Sequence, residues 1–372
     1  MTTADEIGWV ATSDSLERLV AALKGTSIAA VDTEFVREKT YYPQLCLIQI
    51  ATRDDVACID CLAPLDLSPL YAEMFRPGFT WVLHSARQDL EVVWQRAGRM
   101  PPQLIDTQIA AALTGTAPQM GLETLLARTL GVELGESYAR TDWSRRPLPP
   151  PELAYALDDV RYLLGAWDRL QAQLTELGRS AWLAEECAGV LAERPEADTL
   201  TVWARLKGVH GLSFAGQCAA LALVRWRETA AQRSDRPRRW LLTDELLLRI
   251  ADAMPRDIAA VAALVPEKFA ARNGAAVLAA VATHAQPDLE AEVRANASQA
   301  PPDKNVVKAL QERVRQQAAK LAIEPEILAT RRDLVAVAGG KPPAHLTHGW
   351  RAAELAELLA PGTAATSGPR PS

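Results

Sequence analysis

Two acidic residues, Asp32 and Glu34, interrupt an apolar run near the N-terminus, Ala29-Ala30-Val31-Asp32-Thr33-Glu34-Phe35. Side chains alternate along a β-strand, so both carboxylates would point to the same face. Two neighbouring acids repel each other, and each loses hydration when it is buried. A divalent cation between them removes that repulsion, so the pattern indicates a metal site that needs further ligands from elsewhere in the chain.

Two later stretches supply candidate ligands. Asp89 lies in the first turns of a helix that follows a short apolar strand, a position where the sites of α/β proteins collect. Tyr155 and Asp159 are four residues apart on a helix and share a face, but Asp158 shares it too, and spacing alone does not choose between the two aspartates. Acidic clusters of this kind hold two Mg²⁺ or Mn²⁺ ions about 3.5–4 Å apart in enzymes that hydrolyse phosphodiesters.

The elements around these residues predict an α/β domain. Three strand patterns come first, over Ile28–Phe35, Leu45–Ile50 and Val56–Asp60. Short strands and helices then alternate, and a long helix is expected from Glu152 to Leu177. This order resembles the ribonuclease H-like architecture, a mixed sheet flanked by helices. Beyond Leu200 the periodicity is helical without a convincing strand, which predicts one or two small all-helical domains.

Composition restricts the class of protein. The chain has 372 residues, of which 49% are hydrophobic and 23% charged, as in globular proteins with more than one domain. The acidic N-terminus lacks the features of a signal peptide, and no apolar run approaches the ~18 residues of a spanning helix, so we expect a cytoplasmic protein without a membrane partner. The five cysteines fit reduced thiols, and the pair Cys58 and Cys61 has no second pair to complete a zinc site.

The net charge of −6 argues against bulk electrostatic binding to nucleic acid, but one local segment is basic. Between Leu200 and Glu245, eight cations stand against four acids. The cations are Arg205, Lys207, Arg225, Arg227, Arg233, Arg236, Arg238 and Arg239. Arginines interleaved with Trp226 and Trp240 are typical of a surface that contacts phosphates and stacks on bases, although a solvated protein face is the alternative.

The ordered motifs of the chain resemble ribonuclease D, a family of 3′→5′ exonucleases with four acidic site residues and a tyrosine. They are Val31–Phe35, Thr40–Ala51, His84–Leu90, Thr141–Trp143 with Arg146–Leu148, and Tyr155–Leu164. Two further sets resemble the helicase-and-RNase-D C-terminal (HRDC) domain: Trp203–Gly208 with Ala222–Glu228, and, as a weaker second copy, Glu326–Leu334 with Gly349–Arg351.

The resemblance implies that Asp32, Glu34, Asp89 and Asp159 are the ligands of two divalent ions, Mg²⁺ or Mn²⁺, and selects Asp159 over Asp158. Tyr155 would position or activate the water that attacks the phosphodiester. The implied activity is release of 5′-mononucleotides from the 3′ end of RNA, including the trailers of tRNA precursors, by a monomer. Two alternatives remain at this stage: a DNA exonuclease, and a non-catalytic nucleic-acid-binding protein.

The expected domains follow from the same resemblance. We expect an exonuclease domain over residues 1–190, a linker over 191–199, an HRDC domain over 200–284, a second HRDC-like helical domain over 285–359, and a disordered tail over 360–372.

Three other residues need an interpretation. His84 and Asp89 have a spacing used by sister exonucleases that employ histidine, but that scheme would leave Tyr155 and Asp159 idle, so we interpret His84 as structural. Asp106 precedes a helix and is expected to cap it. Glu136 stands where the family usually has a lysine, so RNA affinity or substrate preference is expected to differ here.

Overall fold

The computed structural model describes residues 8–193, 198–296 and 302–359. The chain divides into two compact units. Unit 1 comprises Met1–Val36, Leu45–Arg194 and Pro301–Ser372, and unit 2 comprises Arg37–Gln44 and Pro195–Ala300. The expected tail over 360–372 and residues 194–197 of the expected linker lie outside the described residues.

A six-stranded mixed sheet forms the centre of unit 1. Its strands are β1 (Gly8–Val10), β2 (Ile28–Val36), β3 (Gln44–Ala51), β4 (Val56–Asp60), β5 (Thr80–Leu83) and β6 (Gln103–Asp106). The order is β1-β4-β3-β2-β5-β6, with β3 antiparallel to β4 and with the pairs β1–β4, β2–β5 and β5–β6 parallel. The predicted mixed α/β sheet is therefore confirmed.

Helices cover the sheet. They are α1 (Ser13–Lys24), α2 (Ser68–Met74), α3 (Arg87–Ala97), α4 (Thr107–Leu113), α5 (Leu122–Leu130), α6 (Pro150–Arg161), α7 (Leu163–Glu176) and α8 (Ser180–Ala192). Because helices also shield the central strands, β3 is buried over Leu45–Ala51 and β2 over Ala29–Val31. Asp32 and Glu34, which follow in β2, interrupt that apolar pattern.

The helix expected from Glu152 to Leu177 is two helices. Tyr162, with φ −100° and ψ −6°, ends α6 and begins α7. Continuous helical periodicity conceals such a break, because the same apolar spacing continues on both sides of it.

Unit 2 contains the helices α9 (Thr199–Ala204), α10 (Phe214–Ser234), α11 (Arg238–Leu241), α12 (Asp244–Ala253), α13 (Ile258–Ala262), α14 (Glu267–Ala282) and α15 (Pro287–Asn296). Two short 3₁₀ turns, Val209–Gly211 and Thr283–Ala285, complete it. Helix α10 is the central element, and its buried residues pack with Trp203 of α9 and Leu247 of α12 in a separate hydrophobic core.

Five C-terminal helices belong to unit 1: α16 (Lys304–Leu321), α17 (Pro325–Leu328), α18 (Arg331–Ala338), α19 (Ala344–Thr347) and α20 (Gly349–Leu359). Their buried residues, such as Val314 and Leu334, join the same hydrophobic core as the strands. The ring of Trp350 stacks on that of Trp182 of α8, with centroids 4.2 Å apart.

Among the residues that the structure describes, no helix has both the length and the apolar character needed to cross a bilayer. None of the five cysteines, all of which lie in the described part of the chain, forms a disulfide, and Cys58 is fully buried in β4.

Candidate active site

Three of the predicted acids converge. Asp32 lies at the middle of β2 and Glu34 two residues further on, and α6 packs against β2 so that it brings Asp159 to the same place. Carboxylate oxygens of Asp32, Glu34 and Asp159 all lie within 4.8 Å of one another. Buried Thr33, between the two strand acids, points away from them, as the strand alternation requires.

Asp89, the fourth predicted acid, lies beside the other three and is held by Thr33. It is a buried residue in the first turn of α3, and its Oδ1 accepts hydrogen bonds from Thr33 N (3.1 Å) and Thr33 Oγ1 (2.6 Å). Asp89 is not one of the three acids that meet within 4.8 Å, but its charge raises the pKa of both Asp32 and Glu34. The structure therefore places Asp89 beside the cluster and fixes it on the β2 backbone.

The carboxyl groups carry strongly shifted pKa values. Burial, followed by the charges of Asp89, Asp159 and Glu34, raises the pKa of Asp32 well above its ordinary value. Burial and then Asp159 and Asp89 raise the pKa of Glu34 to about 9. Burial also raises the pKa of Asp159 to about 7 and of Asp89 to about 6, although hydrogen bonds from Tyr155 and Thr33, respectively, oppose these shifts.

These acids cannot all be ionised at neutral pH without a cation between them. Converging carboxylate oxygens are the donors that hard divalent cations such as Mg²⁺ and Mn²⁺ prefer, and a bound cation would favour the ionised forms. The donor set therefore fits a divalent metal.

Tyr155 lies one turn before Asp159, with its hydroxyl hydrogen-bonded to Asp159 and Ser137. Burial and the charge of Asp159 raise its pKa, so the hydroxyl stays protonated at neutral pH and can donate. Its ring lies nearly parallel to that of buried Trp143 (centroids 6.2 Å apart, 25° between planes) and edge-on to Tyr138 (6.1 Å). Sequence reasoning missed Ser137, although it directly follows Glu136, which is exposed.

The segment 137–148, here called the Trp143 loop, holds these partners around Tyr155. On one side Thr141 Oγ1 and Arg145 Nη2 donate to Glu152 of α6, at 2.8 and 2.7 Å. On the other side the Arg146 guanidinium donates to both oxygens of Asp60 at the end of β4, at 2.9 and 2.6 Å.

Arg146 also binds the Trp143 and Cys46 carbonyl oxygens, at 2.7 and 3.1 Å. The motif Thr141–Trp143 with Arg146–Leu148 thus shapes one wall around Tyr155, a role that its sequence did not reveal.

Asp158 and His84, which the sequence analysis weighed against Asp159 and Tyr155, have partners outside the acidic cluster. Asp158 forms an ion pair with Arg161 at 3.1 Å. His84 donates from Nε2 to the Met120 carbonyl at 2.9 Å, and its Nδ1 lies 3.0 Å from Thr107 Oγ1. Burial lowers the pKa of His84, in keeping with a neutral, structural imidazole.

Asp106 caps α4, because it accepts hydrogen bonds from Gln108 N and Ile109 N. This agrees with the capping role that we expected. The same carboxylate also accepts from Ser85 N (3.1 Å) and Ala86 N (2.9 Å), which lie immediately before α3.

Comparison with known proteins defines the class. A profile of the family described as 3′-5′ exonuclease matches residues 7–175, and one of the HRDC domain matches residues 219–281. The fold and the two matches are thus those of a 3′→5′ exonuclease domain followed by an HRDC domain.

The family follows from similarity along most of the chain. Ribonuclease D of Granulibacter bethesdensis is 36% identical over 350 residues (91% of this chain and 88% of that protein), and that of Xanthomonas oryzae pv. oryzae is 37% identical over 360 residues (95% and 97%). The crystal structure of Escherichia coli RNase D matches with a TM-score of 0.82 at 29% identity, covering 96% of this chain and 98% of that one. The chain belongs to the ribonuclease D family and is a 3′→5′ exoribonuclease.

Proposed function

We propose that Asp32, Glu34, Asp89 and Asp159 hold two divalent cations, Mg²⁺ or Mn²⁺, at the 3′ end of an RNA substrate. The observation that carries the proposal is the convergence of three carboxylates within 4.8 Å, with Asp89 close enough to shift their pKa values. When bound, the cations would supply positive charge that activates a water molecule and offsets the charge developing on the phosphate.

Side chains of the protein hold the attacking water and the metal ligands in position. The protonated Tyr155 hydroxyl is held by Asp159 and Ser137 and can orient the attacking water by a hydrogen bond. Thr33 fixes the carboxylate of Asp89 through two hydrogen bonds, so that this acid does not need to reorganise during the reaction. Trp143 and Tyr138 cover the Tyr155 ring and restrict its rotation.

We propose precursors of transfer RNA with short 3′ trailers as substrates. The relatives' name, ribonuclease D, and the description of the E. coli protein as an exoribonuclease involved in structured RNA processing support this proposal. The HRDC domain also supports an RNA partner. A cytoplasmic location would agree with such a substrate and with five cysteines that form no disulfide. A monomer stays a prediction that sedimentation of the purified protein would test.

We also propose the domain assignment stated above: exonuclease over 1–190, linker over 191–199, HRDC over 200–284 and a second HRDC-like domain over 285–359. The HRDC match over 219–281 lies within the proposed HRDC domain. The proposed second domain is helical as expected, but α15 packs in the core of unit 2 and α16 to α20 pack in that of unit 1.

The test is 3′ trimming of a tRNA precursor with a short trailer, with Mg²⁺ or Mn²⁺ and with chelator. The variants are Asp32→Asn and Asp159→Asn, with Asp158→Asn as the matched control because Asp158 pairs with Arg161 instead. We expect metal-dependent release of mononucleotides that both site variants abolish and the control retains. Undiminished trimming by either site variant would refute the assignment, and a matched DNA substrate measures the choice of sugar.

A further inference from the structure

One exposed surface of unit 2 has no role in the site described above. It consists of the segment Arg37–Gln44 together with the segment Arg233–Trp240, and we call it the Tyr42–Trp240 surface. Tyr42 is 40% exposed and Trp240 is 62% exposed, which is unusual for large aromatic side chains. The two segments contain six cations and two acids, and the exposed cations are Arg37, Lys39, Arg233, Arg236 and Arg239.

Specific contacts hold the two segments together. Asp235 follows α10 in a left-handed conformation (φ 45°), and its Oδ1 accepts hydrogen bonds from Tyr41 N (3.0 Å) and Tyr42 N (3.1 Å). The buried Tyr41 hydroxyl donates to Glu228 Oε2 at 2.9 Å. The Arg238 guanidinium lies 5.9 Å from the Tyr41 ring centroid, and its Nε lies 3.4 Å from Glu228 Oε1. The loop of residues 37–44 is therefore a fixed part of unit 2.

Not all the cations and tryptophans of the basic segment identified in the sequence are exposed. Arg227 is buried and donates to Asp244 at 2.7 Å, and Arg225 pairs with Glu292. Trp226, which we expected on a stacking surface, instead packs partly buried against the core, edge-on to Phe269. That expectation was wrong for Trp226, because its position on α10 faces the core, whereas Trp240 is on the exposed short helix α11.

We propose that the Tyr42–Trp240 surface binds the single-stranded RNA segment that leads to the 3′ end. Exposed aromatic rings stack on bases of any sequence, and neighbouring arginines contact the phosphates. The loop begins three residues after Glu34 in the sequence. One continuous segment thus carries a metal ligand at one end and this surface at the other. This inference rests on the RNA substrate of the proposed function.

The first test is binding of a single-stranded RNA of about twelve nucleotides, a length typical of such sites, in chelator so that no hydrolysis occurs. We expect Trp240→Ala to weaken binding by at least about fivefold, the lower limit of one lost base stack. The logarithm of the association constant falls linearly with the logarithm of the salt concentration. The double variant Arg236→Ala/Arg239→Ala should make this negative slope less steep by about 1.4, because two phosphate contacts are lost.

Ile258→Ala, at a side chain that is 52% exposed, and Arg272→Ala, also exposed, are the matched controls in the same unit. They should bind like the unmodified protein. The proposal is overturned if Trp240→Ala binds as tightly as Ile258→Ala, or if the arginine pair leaves the salt slope unchanged.

The second test asks whether the loop and α11 act together. Asp235→Ala removes the acceptor that fixes the Tyr42 backbone, and Tyr42→Ala removes the ring itself. Both should therefore weaken binding by the loss of Tyr42 stacking on a base, and combining the two should add little. Asp235→Asn keeps an acceptor and tolerates the left-handed backbone, so it should restore binding. An Asp235→Ala protein with unchanged affinity would refute the composite surface. Failure of the metal site would show separately, as trimming retained by Asp159→Asn in the hydrolysis assay.

Discussion

At the scale of residues, the acidic cluster is a source of instability until a cation binds. Burial disfavours the ionised form of each carboxyl group, and the neighbouring charges of Asp89 and Asp159 add repulsion at Glu34. Glu34 therefore takes up a proton in the folded protein that it would lose in the unfolded chain. The site is preorganised for a cation at the expense of folding free energy, as is common where function and stability compete.

We predict that the metal-free protein loses stability as the pH rises. The pKa of Glu34 rises from 4.5 to about 9, and that of Asp159 from 3.8 to about 7, so the folded state binds more protons than the unfolded state between these limits. In that window the free energy of unfolding falls with increasing pH. Urea denaturation in chelator should therefore give a smaller free energy of unfolding at about pH 8 than at about pH 5.5.

Two further measurements check this cause. Asp159→Asn should flatten the pH dependence, because it removes one of the repelling charges. Mg²⁺ or Mn²⁺ at about a hundred times its dissociation constant should add about 2.7 kcal/mol at the higher pH. Equal stability at both pH values in chelator would contradict the argument.

Replacement of Tyr155 by Phe removes the hydroxyl and keeps the ring between Trp143 and Tyr138. We predict that kcat for RNA trimming falls on the order of 10²-fold with little change in KM, because a group that orients or assists water acts mainly in the transition state. Ser137→Ala should lower kcat less, since Asp159 still orients the hydroxyl. A Tyr155→Phe enzyme with kcat within about twofold of the unmodified enzyme would exclude this role.

The sequence predicted which acids belong together but not how they are held. Strand alternation placed Asp32 and Glu34 on one face, and helical spacing placed Tyr155 near Asp159, because both rules act over a few residues. The hydrogen bonds from Thr33 to Asp89, 56 positions away, and from Ser137 to Tyr155 depend on tertiary packing, which no local pattern encodes. The choice of Asp159 over Asp158 needed the family resemblance for the same reason.

At the scale of elements, the Trp143 loop is irregular yet firmly anchored. Burial works to raise the pKa of Asp60, but the hydrogen bonds from Arg146 outweigh it, so that the pKa lies below its ordinary value and the pair stays ionised. The guanidinium uses its planar fork on a carboxylate and also binds three carbonyl oxygens, which a lysine cannot reproduce. The loop is thus fixed by side chains where regular hydrogen bonding is absent.

We predict that Arg146→Lys destabilises unit 1 by about 2 kcal/mol and lowers kcat, because the wall beside Tyr155 loosens. Thermal unfolding and single-turnover trimming would measure the two effects. Arg128→Lys, at an exposed position of α5, is the control and should change neither. An Arg146→Lys protein with normal kcat would show that the loop does not support Tyr155.

Most strands and helices were predicted from the sequence, and those that were not lacked a recognisable local pattern. Strand β1 has only three residues, too few for an alternation to be recognised, and its pairing of Trp9 with Cys58 is a long-range contact. The break between α6 and α7 was not predicted, because the residue at the break is Tyr162 and not Pro or Gly. The longer strands and the cap at Asp106 were correct, because strong patterns and capping chemistry are local.

At the scale of the whole molecule, packing does not follow the order of the chain. Helices α16 to α20 come after the HRDC match but share a hydrophobic core with the sheet of unit 1. The loop of residues 37–44 lies between two strands of unit 1 yet packs on α10 of unit 2. Periodicity gives no sign of either grouping, because both depend on contacts between residues more than a hundred positions apart.

Trp350 allows a direct test of whether the C-terminal helices stabilise unit 1. Its ring stacks on Trp182, its indole N–H donates to Glu186 Oε1 at 2.8 Å, and it is only 5% exposed. Neighbouring Gly349 has φ +68°, and a Cβ there would collide with Glu185. The positive φ favours glycine directly before Trp350, and the indole makes the contacts with Trp182 and Glu186.

We predict that Trp350→Ala lowers the free energy of unfolding of unit 1 by about 3–5 kcal/mol, the usual result of removing a buried indole from a core. Trp240→Ala is the matched control, because its side chain is 62% exposed and its removal should change stability by less than about 0.5 kcal/mol. Trp240→Ala should affect RNA binding instead. Urea denaturation of both variants with a chelator measures stability, and the RNA-binding assay described above measures affinity. Equal stabilities would show that α20 adds nothing to the fold of unit 1.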